Sequence, residues 1–457
     1  MRLDRNSVLP KNVARPDYDR SVQKAGIVHF GIGAFHRAHQ AVYTDDAMNA
    51  GDRDWGIIGV SLRSAGVAEQ MNPQDGLYTV TERSAAGENI RLIGAVQKVL
   101  VATHDPEAVI AAISLPDTRI VSFTITEKGY CRAPDGSLDF DLVGQGSVYR
   151  YLASAFRRRL DLRLAGLTLL SCDNLAGNGF QLKRLMRQYL GHHAPDLIDW
   201  FETECTCPST MVDRIVPATT DTDRNAIASA IGARDEAAVV TEAFTQWVIE
   251  DNFAGPRPRW ELGGAQFAND VAPFETAKLR MLNGAHSALA YLGLQRSHEF
   301  VHQAIADPEL SRLVHTLMRN EAATSLTPAP ELDVAAYADA LIARFANPAL
   351  NHRLIQIAMD GSQKIPQRWL ETLSHHQQRG QRCPAILEAL SAWIMHVGGK
   401  GHVVDDPMRD VLQALWLKTG KAGIAQALFG AGGLFVSYWQ GESTDITEIN
   451  AQLEALS

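Results

Sequence analysis

Cysteine is scarce in this sequence. Five residues, at 131, 172, 205, 207 and 383, are scattered over 457 positions. That usage fits a reducing compartment and excludes a disulfide framework. Cys205 and Cys207 form a close pair but lack the second pair or nearby histidine that a structural zinc needs, so no metal is expected. Long apolar runs are missing too. No stretch reaches the ~18 residues of a membrane span. The opening Met1-Arg-Leu-Asp-Arg-Asn6 has no charged-then-apolar leader, so a cytoplasmic location with no membrane partner is expected. Positive charge is not concentrated anywhere. The net charge is −9 and no basic stripe stands out, which removes nucleic acid from the expected partners. What remains is an ordinary globular composition, 46% hydrophobic and 21% charged, long enough for two or three domains.

Gly26-Ile-Val-His-Phe30 is a short apolar run with β-branched Ile27 and Val28, and it reads as a buried strand. It runs into Gly31-Ile-Gly33-Ala-Phe35-His36-Arg37-Ala-His39-Gln40, followed by a helical pattern. Strand, Gly-x-Gly turn and helix make the phosphate-cradling start of a dinucleotide fold, where backbone and helix N-terminus approach a pyrophosphate. The third glycine of the fingerprint is absent, and His36 stands there. A second strand is expected at 55–62. Its end, Leu62-Arg63-Ser64-Ala65, lacks the acid that would hold the adenosine ribose, and Arg63 suits a 2′-phosphate or open solvent equally. Further strands are expected at 78–82, 119–126 and 166–172, and helices over 191–270. Two polar clusters follow the later strands, Thr126-Glu127-Lys128-Gly-Tyr130 and Ser171-Cys172-Asp173-Asn174, and strand ends are where ligands sit in open α/β sheets. Asp173 and Asn174 equally suit a helix cap, and Asn178-Gly179 a turn. Asp213 and Arg214, amid apolar neighbours, suggest a paired, partly buried charge.

From about 272 the pattern is helical almost to the end. Its first stretch is Glu275-Thr-Ala-Lys278-Leu-Arg-Met-Leu-Asn283-Gly284-Ala-His286. On a wheel of about 100° per residue, with Lys278 at zero, Glu275 falls at about 60°, His286 at about 80° and Asn283 at about 140°. Four polar groups on one face would be costly to bury without purpose; a solvated face with a Glu275–Lys278 ion pair is the alternative. A second polar concentration runs from Gln356 through Asp360-Gly361 and Lys364 to Arg368, read either as an interhelix loop or as a substrate-oxygen site.

Together these motifs resemble the mannitol dehydrogenase family, the polyol-specific long-chain dehydrogenases, over nearly the whole chain. The resemblance rests on Gly31-x-Gly33-x-Phe35-His-Arg-Ala-His-Gln40, Thr126-Glu-Lys-Gly-Tyr130, Ser171-Cys-Asp-Asn174, Met211-Val-Asp213-Arg214, Lys278-x4-Asn283-x2-His286 and Asp360-Gly-Ser-Gln-Lys364. It implies an α/β protein: a Rossmann-type dinucleotide domain over 1–271, then a mainly helical catalytic domain over 272–457, with a metal-free site between them. It implies Lys278 as general acid–base, Asn174 and Asn283 as the pair polarising the reacting oxygen, and His286 as a positioning group. Asp213, Lys364 and Gln356 are expected at the substrate, with Glu275 as proton relay or ion-pair partner. Gly31, Gly33, Phe35, His36, Arg37, Arg63, Thr126 and Glu127 are expected to line the cofactor. The cofactor implied is NAD, with NADP left open. The expected reaction interconverts a secondary alcohol of an acyclic polyol and its ketose, mannitol and fructose first. The alternative is fructuronate and mannonate or another hexuronate or pentitol pair, because the stretch from Gln356 is closer to fructuronate reductases. A non-redox NAD-binding protein ranks lower. A small molecule is the expected partner, and a monomer is compatible with the family. A lysine base would need a pKa well below the ~10.4 of the free side chain, which burial and a cationic nicotinamide both favour.

Overall fold

The computed structural model describes residues 1–144, 146–349, 351–399 and 403–455. Contacts divide the chain into Met1–Ala272 and Pro273–Ser457. In chain order the first unit's strands are β1 (Ala25–Phe30), β2 (Gly56–Ser61), β3 (Tyr78–Ser84), β4 (Gly87–Ile93), β5 (Val96–Val101), β6 (Ile120–Phe123), β7 (Thr168–Ser171), β8 (Thr210–Asp213), β9 (Val239–Glu242), β10 (Gln246–Glu250) and β11 (Gln266–Ala268).

Five of them form a parallel sheet in the order β5-β2-β1-β6-β7. Parallel strands connected through helices are covered on both faces, so their residues are apolar in both directions. Alternation then sorts them into two cores. Val28, Phe30, Ile58, Val60, Val121 and Phe123 pack into one. Ile27, Ile57, Val99, Ile120 and Leu170 pack into the other, with Trp247 and Trp260. The fold is thus the expected α/β class, with a Rossmann-like first unit and a helical second one. Three details differ from the sequence reading. Tyr78–Ser84 is a strand, but it belongs to a separate sheet of order β4-β3-β9. One edge strand of the main sheet is Val96–Val101, with Lys98 exposed, and its polar residues hid it. Residues 191–270 hold strands β8–β11 besides helices; strands of three to five residues carry too little periodicity to be read.

The second unit is mainly helical over its described residues, and none of the described helices is long and apolar enough to cross a membrane. Its centre is the helix Gly284–Gln295, buried from Gly284 through Leu294. Among the described residues, three π-helical segments, Lys278–Asn283, Leu317–Ala322 and Pro366–Leu370, interrupt the α-helical run. In the second, Glu321 is 3% exposed and accepts the N–H groups of Ala385 and Ile386, each at 2.8 Å, at the start of the helix Pro384–Val397. Burial raises its carboxyl from 4.5 to about 7 against those hydrogen bonds. A raised folded-state pKa adds stability that is full below the unfolded value and lost as pH rises through the folded one. Urea denaturation should therefore show Glu321→Gln gaining about 3 kcal/mol relative to the parent between pH 4.5 and 8. A constant difference across that range would show that Glu321 stays ionised throughout.

Candidate functional site

In the first unit the site is built at the carboxyl ends of β1, β6 and β7. Gly31 follows β1 with φ +91°, and a Cβ there would lie 2.0 Å from the Thr124 carbonyl oxygen just beyond β6. Only glycine permits both the left-handed backbone and that approach. Gly33 caps the short helix Ala34–Ala38 with φ −76°, and the nearest atom to a Cβ there is 3.8 Å away. The backbone at Gly33 is therefore open to a close-lying phosphate, which fits the cradle of a dinucleotide.

The space that a third glycine would leave is filled by two imidazoles. His36 is wholly buried and stacks on His29 of β1 with centroids 3.4 Å apart. His29 is held by the hydroxyls of Ser122 and Thr124, both at 2.8 Å, and burial pushes its pKa down to about 3. Arg37 is also buried and donates to the carbonyls of Gly33 and Ala237, with its guanidinium 5.7 Å from the Tyr78 ring centroid. The side chains of His36 and Arg37 are thus buried, so the cofactor contact expected of these two residues falls to their backbone. Both face inward, because the first turn of this helix packs against β1 and β9 rather than lying on the surface. Phe35 is half-buried and stacks on His39 at 5.0 Å.

The clusters after β6 and β7 are tied together by Asp173. Its carboxylate accepts from Ile125 N at 3.0 Å, Thr126 N at 2.9 Å and the Tyr130 hydroxyl at 2.8 Å. Thr126 has φ +62°, an outlier for a β-branched residue, and the carboxylate holds that strained turn. Asp173 therefore caps its neighbour's loop and not its own helix. Burial raises its pKa, against those three donors. Asn174, Thr126 and Glu127 are exposed around this clamp. Asn178 begins the helix Asn178–His193 instead of a turn, and its amide spans Thr210 N (2.9 Å) and the carbonyls of Asp173 (3.0 Å) and Thr210 (2.9 Å). Asp213 is 8% exposed at the end of β8. Arg214 reaches Glu82 at 2.5 Å, a long-range partner that sequence order concealed. At the end of β2, Arg63 is exposed, and the Ser64 hydroxyl accepts Gly66 N at 3.2 Å.

In the second unit Lys278–Asn283 is a π-helix that continues into Gly284–Gln295. Gly284 is helical and does not break it. An i→i+5 turn advances less per residue than 100°, so the wheel over-rotates Asn283. Five residues make roughly one such turn, which stacks Asn283 over Lys278. Glu275, Lys278 and Asn283 are half-buried, and His286 is 9% exposed. His286 lies 4.7 Å from the Phe345 ring and 5.2 Å from His352. Burial, then His352, Arg344 and Arg368, hold its pKa well below 6.5, so it is neutral at pH 7. Lys364 donates to the Met359 carbonyl at 2.6 Å and lies 3.6 Å from Asp360, while burial and Arg368 lower its pKa. Gln356 is exposed on the helix Leu354–Ile357. The π-segment Pro366–Leu370 packs on Lys278–Asn283, and Trp369 Nε1 donates to the Gly284 carbonyl at 3.2 Å. Sequence reasoning singled out neither Ser287 nor the clamp role of Asp173; the signal available for the second was the hydroxyl of Tyr130 four residues after Thr126.

Comparison with known proteins agrees with this geometry. Residues 25–262 match the model of the mannitol dehydrogenase Rossmann domain, and residues 270–455 that of the mannitol dehydrogenase C-terminal domain. D-mannonate oxidoreductase of Escherichia coli (strain K12) is 41% identical over 443 residues, covering 93% of this chain and 91% of that protein. Mannitol 2-dehydrogenase of Aspergillus terreus is 37% identical over 467 residues, covering 97% and 93%. The solved structure of Pseudomonas fluorescens mannitol 2-dehydrogenase, a ternary complex with NAD and D-mannitol, superposes with a TM-score of 0.77 at 32% identity, covering 100% of this chain and 96% of that one. With both halves matched, the chain belongs to the mannitol dehydrogenase family and is an oxidoreductase.

Proposed function

We propose that this enzyme catalyses the reversible NAD-dependent oxidation of one secondary alcohol of an acyclic polyol or sugar acid to the matching ketone. D-mannitol and D-mannonate are the substrates named for its relatives. The observation that carries the reading is a glycine turn open to phosphate after β1, in one chain with an amine and an amide one wide turn apart at Lys278 and Asn283. When bound, the nicotinamide cofactor supplies the hydride acceptor. Lys278 takes the hydroxyl proton as the carbon is oxidised and returns it in the reverse direction. Asn174 and Asn283 donate N–H bonds to the oxygen as it gains negative charge. Glu275, one turn before Lys278, passes the proton to water. Neutral His286 can both donate and accept, which suits orienting a hydroxyl. Asp213, Lys364 and Gln356 engage the remaining oxygens, so a substrate lacking one leaves a polar group unpaired and is rejected. All five cysteines are free thiols, which supports the reducing cytoplasm as the working compartment.

The test is absorbance at 340 nm with NAD and with NADP, using D-mannitol and D-mannonate. Stoichiometric NADH formation with one of them is expected. Consumption of substrate without NADH would instead indicate a non-redox enzyme. Cofactor choice has its own test. Ser64 caps Gly66 through its side chain, a role that aspartate preserves. Ser64→Asp should raise the kcat/KM ratio of NAD over NADP by about tenfold or more, through ribose recognition and phosphate repulsion. An unchanged ratio would mean that position 64 does not face the ribose.

A further inference from the structure

We infer that Arg368 is an anion-recognition residue and that the preferred substrate carries a carboxylate: an open-chain aldonic acid and its keto-acid partner rather than a neutral polyol. The inference rests on the oxidoreductase reading proposed above and specifies its substrate class.

Arg368 lies in the π-segment Pro366–Leu370, packed on the segment that carries Lys278 and Asn283. Its Nη1 donates to the Ser287 hydroxyl at 2.6 Å, one residue beyond His286. That is its only hydrogen bond among the described residues, from a group with five donors. Two buried arginines of the first unit are better supplied, with four side-chain hydrogen bonds each. Arg159 donates to the carbonyls of Ile113, Leu115 and Ala165, and Arg214 reaches Glu82. No carboxylate among the described residues pairs with Arg368. The nearby acids are engaged elsewhere: Asp360 beside Lys364 at 3.6 Å, and Asp406 on Ser362 N and Met408 N, each at 2.8 Å. The charged or titratable groups that feel Arg368 are Tyr291, His286 and Lys364.

A desolvated cation with no counter-charge is unfavourable unless a ligand supplies one. Burial draws its pKa down to about 10, so it still carries its charge at pH 7. Arg368 is half-buried, so a ligand can reach it, and Ser287 fixes the guanidinium plane. A planar fork matches the two oxygens of a carboxylate, whereas a primary hydroxyl offers one weak acceptor. Lys364 adds a second positive charge to the same neighbourhood, and Arg344 acts on His286 from another helix. His286, neutral among these cations, does not offset them.

The experiment compares kcat/KM for D-mannonate and D-mannitol at saturating NAD. The two differ at one terminal carbon, carboxylate against CH2OH. The parent enzyme should favour D-mannonate by about 100-fold or more. Arg368→Gln should lower that ratio about 100-fold, mainly through KM for D-mannonate, and Arg368→Lys should restore part of it. A parent enzyme that favours D-mannitol would overturn the inference and leave the oxidoreductase reading standing. Equal losses on both substrates in Arg368→Gln would also overturn it, by showing a merely structural role. NADH from neither substrate would count against the oxidoreductase reading itself. The parent ratio decides the matter even where a variant does not fold.

Discussion

Lys278→Ala is expected to lower turnover about 10²–10⁴-fold, the range for removing a general acid–base group. NAD affinity should stay within a few-fold, because the proposed cofactor groups belong to the first unit. Lys278 is half-buried at the start of the π-segment that stacks Asn283 over it. Half-burial limits the water around its side chain. Two further readouts separate a proton-transfer role from a packing role. The parent kcat should rise through an ionisation below the ~10.4 of free lysine, and the variant should lose that limb. Added primary amines should restore part of the variant's activity. Near-normal turnover in Lys278→Ala would remove the residue from the mechanism.

Gly31→Ala and Gly33→Ala should behave as opposites. At Gly31 the φ is +91° and the added Cβ would meet the Thr124 carbonyl at 2.0 Å. Strain and clash together should cost at least about 3 kcal/mol, a large share of a typical 5–15 kcal/mol total. The variant should melt much earlier and bind no NAD. At Gly33 the backbone is ordinary and the space is open. Gly33→Ala should melt near the parent temperature and still lose NAD affinity by about tenfold or more, because the methyl group stands where a phosphate must approach. Unchanged affinity in a folded Gly33→Ala would place the pyrophosphate elsewhere.

How far the sequence could be read follows from the range of each interaction. Local patterns were legible. The strand at 25–30, the glycine turn and the following helix announce themselves through periodicity and special residues within twenty positions. The long helical second half was legible for the same reason. Pairings across the chain were not. Arg214 finds Glu82, and Asp173 clamps Thr126; neither partner is near in sequence. The inward turn of His36 and Arg37 depends on β1 and β9 packing beneath them. The π-geometry of Lys278–Asn283 leaves no mark in composition, so a wheel built on 3.6 residues per turn misplaced Asn283 relative to Lys278. Arg368 stood within a polar stretch that sequence alone could assign equally to a loop. The role proposed for it comes from the absence, among the described residues, of a carboxylate paired with it.

In the proposed reaction a hydride passes between a carbinol carbon and NAD. The most direct measurement is isotopic. D-mannonate and D-mannitol deuterated at their carbinol carbons would be turned over with unlabelled NAD, and the reduced cofactor weighed by mass spectrometry. One deuterium per reduced cofactor, with one equivalent of ketone formed, is the expected result. Product formed with no deuterium in the cofactor, or with no reduced cofactor at all, would contradict it.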